Sequence, residues 1–125
     1  MIDPVGSLYA EVGEPRLRAM VAGFYARVPA DDLLGPMYPT EDMAGAEERL
    51  AGFIIFRFGG PADYVKERGH PRLRMRHMPF AIGAPEAERW LLLMAAAMEE
   101  AGISGDPAQR MVSFFTDVAA SMRNR

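Results

Sequence analysis

Apolar side chains recur along this chain at intervals of three and four, the spacing of one helical face, and no alternation is sustained long enough to line a strand. Leu17, Met20, Val21, Phe24, Tyr25 and Val28 share such a face, and Pro15 ahead of them suits a first helical turn. Pro29 and the Gly35-Pro36 pair then break the chain, with a short turn around Asp31–Met37 leading to Tyr38-Pro39. A second long helix is predicted from about Asp42, a suitable N-cap, with Met43, Ala46, Leu50, Phe53 and Ile54 inward. Gly59-Gly60-Pro61 stops it. A third follows Pro85, with Trp90, Leu91, Met94, Ala97, Met98 and Ala101 on one face and Gly102 at its close. Asp106-Pro107 reads as a cap and first turn for a last helix, whose Met111, Phe114, Phe115, Val118 and Met122 face inward. The pattern predicts an all-α protein, four substantial helices around one core.

Between the second and third helices the pattern fails. Pro61, Gly69, Pro71, Pro79 and Gly83 permit only short helical pieces there. Helical domains usually join their helices in about 2–8 residues, so a connection of roughly twenty, rich in Arg and His, is a candidate functional segment.

Composition narrows the classes. At 125 residues the chain is expected to form a single domain, residues 1–125, able to bury a core without staples. A net charge of -3 gives no general attraction to nucleic acid or to anionic membrane. Zero cysteines exclude disulfides, iron–sulfur clusters and a thiolate nucleophile, and fit a reducing, cytoplasmic setting. No apolar run approaches the roughly 20 residues of a membrane span. The N-terminus Met1-Ile-Asp-Pro-Val-Gly6 has no basic stretch before an apolar one, so a secretory signal is not expected. Ten methionines suit an adaptable core, whether ordinary or shaped to a large flat ligand.

Few chemistries suit what remains. Ser7, Ser104, Ser113 and Ser121 lack a nucleophile's context, and the pairs Glu47-Glu48 and Glu99-Glu100 read as solvated helix faces. There is no Glu-x-x-His pair for a di-iron bundle and no glycine-rich phosphate loop. A chain with two histidines and no cysteine has few ways to hold a metal. A haem iron carried on one imidazole is one of them.

Taken alone, His77 would be a packing or surface residue. Its neighbours change that reading: Met75 and Met78 flank it, Pro79-Phe80 follows it, and Lys66, Arg68, Arg72, Arg74 and Arg76 precede it. Such a basic run is by default a solvated surface. It also suits the mouth of a haem pocket, because a haem is an apolar plate with two carboxylates at one edge. His70, between Gly69 and Pro71, reads as an exposed turn. Tyr25, Tyr38 and Trp90 each bring a polar group that needs a partner if buried, and with Ala46 and Leu50 they would wall a pocket for one small ligand.

Together these residues resemble the group II truncated haemoglobins, the two-over-two helical globins. The resemblance covers about residues 7–122. It is carried by Phe24-Tyr25-Ala26, Met37-Tyr38-Pro39, Met43 through Leu50, Gly59-Gly60-Pro61, Arg68 through Phe80, and Trp90. It implies a globin-like two-over-two helical sandwich enclosing haem b (iron protoporphyrin IX), with His77 as proximal iron ligand. Tyr25, Tyr38 and Trp90 match the distal donors, Ala46 and Leu50 the small and apolar distal positions. Arg49, Tyr64 and Arg74 match positions that meet the propionates, and Phe53 and Phe80 add to the cofactor contacts. Two features depart from the family pattern. Phe58 stands where Trp is frequent before the Gly-Gly pair, and the turn between the first helices has Gly13 alone.

A five-coordinate ferrous haem of this kind would take O₂, CO, NO or peroxide at its open position. Donors in a dry pocket would slow ligand escape, which suits retention, sensing or redox chemistry better than unloading. Oxygen storage or delivery, peroxidase-like turnover and NO-dioxygenase-like turnover with an unknown electron donor all stay open, as do monomer and homodimer. The alternative, from a different class, is a haem-free globin-shaped module that binds a partner protein through its basic stretch.

Overall fold

Pro15 sits in the first turn of α2 (Glu14–Arg27), where its missing N–H costs no hydrogen bond. The structure is a computed structural model, and it describes residues 3–38, 40–62 and 82–124. All six apolar positions read from the sequence of this helix, Leu17 through Val28, are buried. A single glycine makes the entry turn: Gly13, at φ +92°, separates α2 from a short helix α1 (Leu8–Val12). The sequence pattern did not reveal α1, because one turn and a half is too short to establish a period. Leu8 and the preceding Val5 are nevertheless fully buried.

After α2, two 3₁₀ turns (Gly35–Met37 and Thr40–Asp42) lead into α3 (Met43–Arg57). Asp42 occupies the N-cap position but makes no capping bond; its carboxylate pairs with Arg49 at 3.3 Å. The stop at Gly59-Gly60 is steric as well as conformational. Gly59 has φ +95°, and a Cβ there would run into the carbonyl oxygen of Gly6. Phe58 just before it is fully buried, with its ring 5.4 Å from Phe114 and 6.2 Å from Phe115.

The third long helix, α4 (Ala84–Glu100), begins with Pro85 in its first turn and with the Glu86 carboxylate accepting the Gly83 N–H at 2.7 Å. It ends in a Schellman arrangement, Ile103 N–H to Met98 O and Gly102 N–H to Glu99 O, both 3.0 Å, with Ile103 and Met98 both buried. The last helix, α5 (Gly105–Met122), starts slightly earlier than Asp106-Pro107 suggests. Ser104 takes the N-cap position, and Asp106 lies in the first turn, where it accepts from Arg110 at 2.8 Å.

α2 packs on α3 and on α4, and α4 packs on α5, giving two helical pairs in two layers. The described residues are helical with no strand, and no helix among them is long and apolar enough to cross a membrane. Two polar joints close the ends. Arg110 bonds the Pro4 carbonyl at 2.9 Å and the Glu11 carboxylate at 2.5 Å, fixing α1 to α5. Asn124 exchanges two 2.9 Å bonds with the backbone of Ile82 and so holds the chain's end against the entry to α4.

Candidate functional site

Burying Phe24 completely brings three polar aromatic rings to one place. Its ring centroid lies 5.2 Å from Tyr25, 6.3 Å from Tyr38 and 5.4 Å from Trp90. Tyr25 comes from the inner face of α2, Tyr38 from the connection after it, Trp90 from the head of α4. Trp90 also meets Phe115 of α5 edge to face at 5.6 Å, so rings from both layers fix its plane.

These rings border a cavity of about 510 Å³, within the range of cofactor-sized pockets. Its wall among the described residues includes Tyr25, Tyr38, Ala46, Arg49, Leu50 and Trp90, six of the candidates named from the sequence. Leu34, Met37, Val118 and Met122 make most of the remainder apolar. Phe53, another candidate, stacks on Phe114 with centroids 6.4 Å apart and is not part of that wall. His77, Tyr64, Arg74 and Phe80 lie outside the described residues, as does His70.

The cavity keeps its phenols protonated. Burial, helped by the neighbouring Tyr38, pushes the Tyr25 hydroxyl well above the ordinary phenol range, against a smaller pull from Arg49. Burial pushes Tyr38 up to about 12, while the neighbouring Trp90 indole N–H acts the other way. Both hydroxyls therefore remain donors throughout the neutral range. Arg49 supplies positive charge at the rim. Its pairing with Asp42, whose side chain is 54% exposed, is of the weak surface kind and leaves the guanidinium available to another carboxylate. Among the described residues no group of three His, Cys, Asp or Glu could hold a metal.

Several residues of the site escaped the sequence reading. The apolar spacing marks Phe24 as core, but only the fold makes it the hub of three cavity rings. Val118 and Met122 lie on the predicted inward face of the last helix. Which inward positions meet a cavity and which meet neighbouring side chains depends on how α5 crosses α4. Arg89, beside Trp90, bonds Asp31 and Asp32 some fifty-eight residues earlier, and no local spacing announces that contact.

Residues 7–124 match the bacterial-like globin family. Over 98 residues the chain is 39% identical to a group 2 truncated hemoglobin of Bacillus subtilis (strain 168), spanning 78% of this chain and 74% of that protein. The hemoglobin of the thermophilic phototrophic bacterium Chloroflexus aurantiacus superposes with a TM-score of 0.88 at 42% identity, covering 95% of this chain and 98% of that one. The truncated oxygen-avid haemoglobin of Bacillus subtilis does so with a TM-score of 0.87 at 35% identity, covering 94% and 99%.

Proposed function

We propose, from the premise that the chain belongs to the bacterial-like globin family and within it to the group II truncated haemoglobins, that it retains a diatomic ligand tightly in a cavity walled by Tyr25, Tyr38 and Trp90. The family implies a haem, which when bound supplies an iron with an open position for such a ligand. Family membership does not favour the alternative of a haem-free interaction module.

The residues present suit that group. The apolar wall of Leu50, Met37 and Val118 matches a flat hydrophobic plate. Arg49 at the rim offers the cation that an edge carboxylate needs, and Arg74 and Tyr64 are assigned the same task. We assign His77 the role of sole protein ligand to the iron of a haem b, with Phe53 and Phe80 in apolar contact around it. The whole chain, residues 1–125, is read as one such domain, working in the cytoplasm.

The observation that carries the reading is the convergence of two protonated phenols and an indole on one side of a largely apolar cavity. Each donor orients a small ligand that gains negative charge, and the apolar surroundings keep water from competing. If two such bonds each contribute about 1–1.5 kcal/mol, ligand escape slows by roughly a hundredfold relative to a pocket without donors. Retention of this order suits storage, sensing, or redox use of the ligand with an external electron donor, and fits a relative that is itself oxygen-avid. The small Ala46 leaves room beside the donors for a ligand or water.

Stopped-flow kinetics of the haem-loaded chain with O₂, NO and peroxide tests this. Slow O₂ release is the expected result. Release as fast as from a pocket lacking donors contradicts the reading. Steady turnover of peroxide with a reductant, well above free haem, would assign the retained ligand a redox use.

A further inference from the structure

Trp90 and Tyr38 come from segments far apart in the chain, and something must hold them in place beside one another on the cavity wall. The ring contacts through Phe24 account for part of this. A polar joint adds to it. Arg89, the residue before Trp90, donates through Nη1 to Asp31 Oδ2 at 2.7 Å and to Asp32 Oδ1 at 2.9 Å. The two acids differ sharply: the Asp31 side chain is 7% exposed, that of Asp32 82%.

Asp31 also has a second task. Its other oxygen, Oδ1, accepts the backbone N–H groups of Leu33 at 3.0 Å and Leu34 at 2.9 Å. That bond pattern shapes the turn from which Leu34, Met37 and Tyr38 reach the cavity wall. One carboxylate therefore organises the Tyr38 segment on one oxygen and receives the Trp90 helix on the other. One nitrogen, Nη1, serves both acids, a task that a Lys ammonium with its three N–H groups can take over in part.

We propose that Arg89 and Asp31 form a positioning pair that sets the separation of Trp90 and Tyr38, and through it the retention of ligand in the cavity. The proposal rests on the reading of that cavity as the ligand site. Neither residue touches the ligand; both act through the donors. Asp32, exposed and secondary, contributes little.

The chain contains a single tryptophan, so fluorescence excited selectively at the indole reports Trp90 alone in the haem-free chain, where no haem quenches it. In the apoprotein, Arg89→Ala is expected to red-shift Trp90 emission and to raise its quenching by acrylamide about twofold. Arg89→Lys should restore part of this. Asp31→Asn keeps an oxygen for the turn while removing the charge, and should resemble Arg89→Ala more weakly. Arg110→Ala breaks a comparable network against Glu11 and Asp106 elsewhere in the fold, and should leave Trp90 emission unchanged. In the haem-loaded chain, Arg89→Ala is expected to speed O₂ dissociation about fivefold, the scale of one hydrogen bond weakened.

Trp90 emission unaltered in Arg89→Ala, or altered equally by Arg110→Ala, overturns the proposal. If Arg89→Ala does not fold, the lysine and asparagine variants decide by the same fluorescence criteria. A chain that takes up no haem yet shows the expected Trp90 shifts supports the positioning pair and overturns the haem reading instead.

Discussion

Tyr25 and Tyr38 meet edge to face, with ring centroids 5.6 Å apart and planes at 87°, one reaching the cavity from α2 and the other from the connection that follows it. Two donors aimed at one small ligand share its binding energy. Tyr25→Phe is expected to speed O₂ dissociation about five- to tenfold, the loss of one hydrogen bond of roughly 1–1.5 kcal/mol. Trp90→Phe should act in the same direction. The double variant should exceed the product of the two, because in each single variant the remaining donor reorients and compensates in part. Stopped-flow displacement of O₂ by CO measures all three, and a variant with an unchanged rate loses its assigned donor role.

Phe24 is fully buried and touches Tyr25, Tyr38 and Trp90 at once. Phe24→Ala should therefore cost about 3–5 kcal/mol of stability, the usual range for truncating a buried aromatic. Urea unfolding measures it. A loss under about 1 kcal/mol would mean that the three rings hold one another without it.

Alkaline pH should destabilise the fold before it disables the donors. Burial raises both phenols above the ordinary value, Tyr38 to about 12 and Tyr25 further. Below the unfolded value of about 10, folded and unfolded chains carry the same protons and the phenols impose no penalty. Above it the unfolded chain releases protons that the folded chain retains, so stability falls as pH rises from about 10 toward the folded values. Thermal unfolding followed between pH 8 and pH 11 checks the direction. O₂ dissociation should stay flat from neutral pH to about 9, since both hydroxyls remain protonated there.

Gly59→Ala should destabilise the protein by more than about 1 kcal/mol, since the residue must hold a positive φ that disfavours a side chain. The new methyl would also run into the Gly6 carbonyl. Gly102→Ala has a positive φ but nothing near the added carbon, and should cost less. Chemical unfolding of the pair separates conformational strain from the clash.

Much of this was legible along the chain because helices announce themselves through local spacing. The buried face of α2 follows from six positions alone, and the stop after α3 from Gly59-Gly60-Pro61. Helix α1 left no period to read. Asp42 stands at the start of α3 as its residue type suggests, yet its carboxylate pairs with Arg49, a choice between local partners that sequence spacing does not decide. In the site, Tyr25, Tyr38, Ala46, Arg49, Leu50 and Trp90 were each nameable from resemblance, and the fold places them on one cavity. Phe53 was not separable from its neighbours in that way: it lies one helical turn from Leu50, and only the crossing of α5 shows that it meets Phe114. The Asp31–Arg89 bond joins residues brought together by the docking of α2 on α4, so no stretch of sequence contains it.

The proposed function stands on a haem held by the His77 imidazole beside the Tyr25, Tyr38 and Trp90 donors. Titrating haemin into the apoprotein and into His77→Ala, with absorption spectra before and after reduction, tests it most directly. One haem per chain with a five-coordinate ferrous spectrum is expected for the unsubstituted protein, and loss of that spectrum in His77→Ala. An unsubstituted chain that refuses haem, or a His77→Ala chain with the same ferrous spectrum, would contradict it.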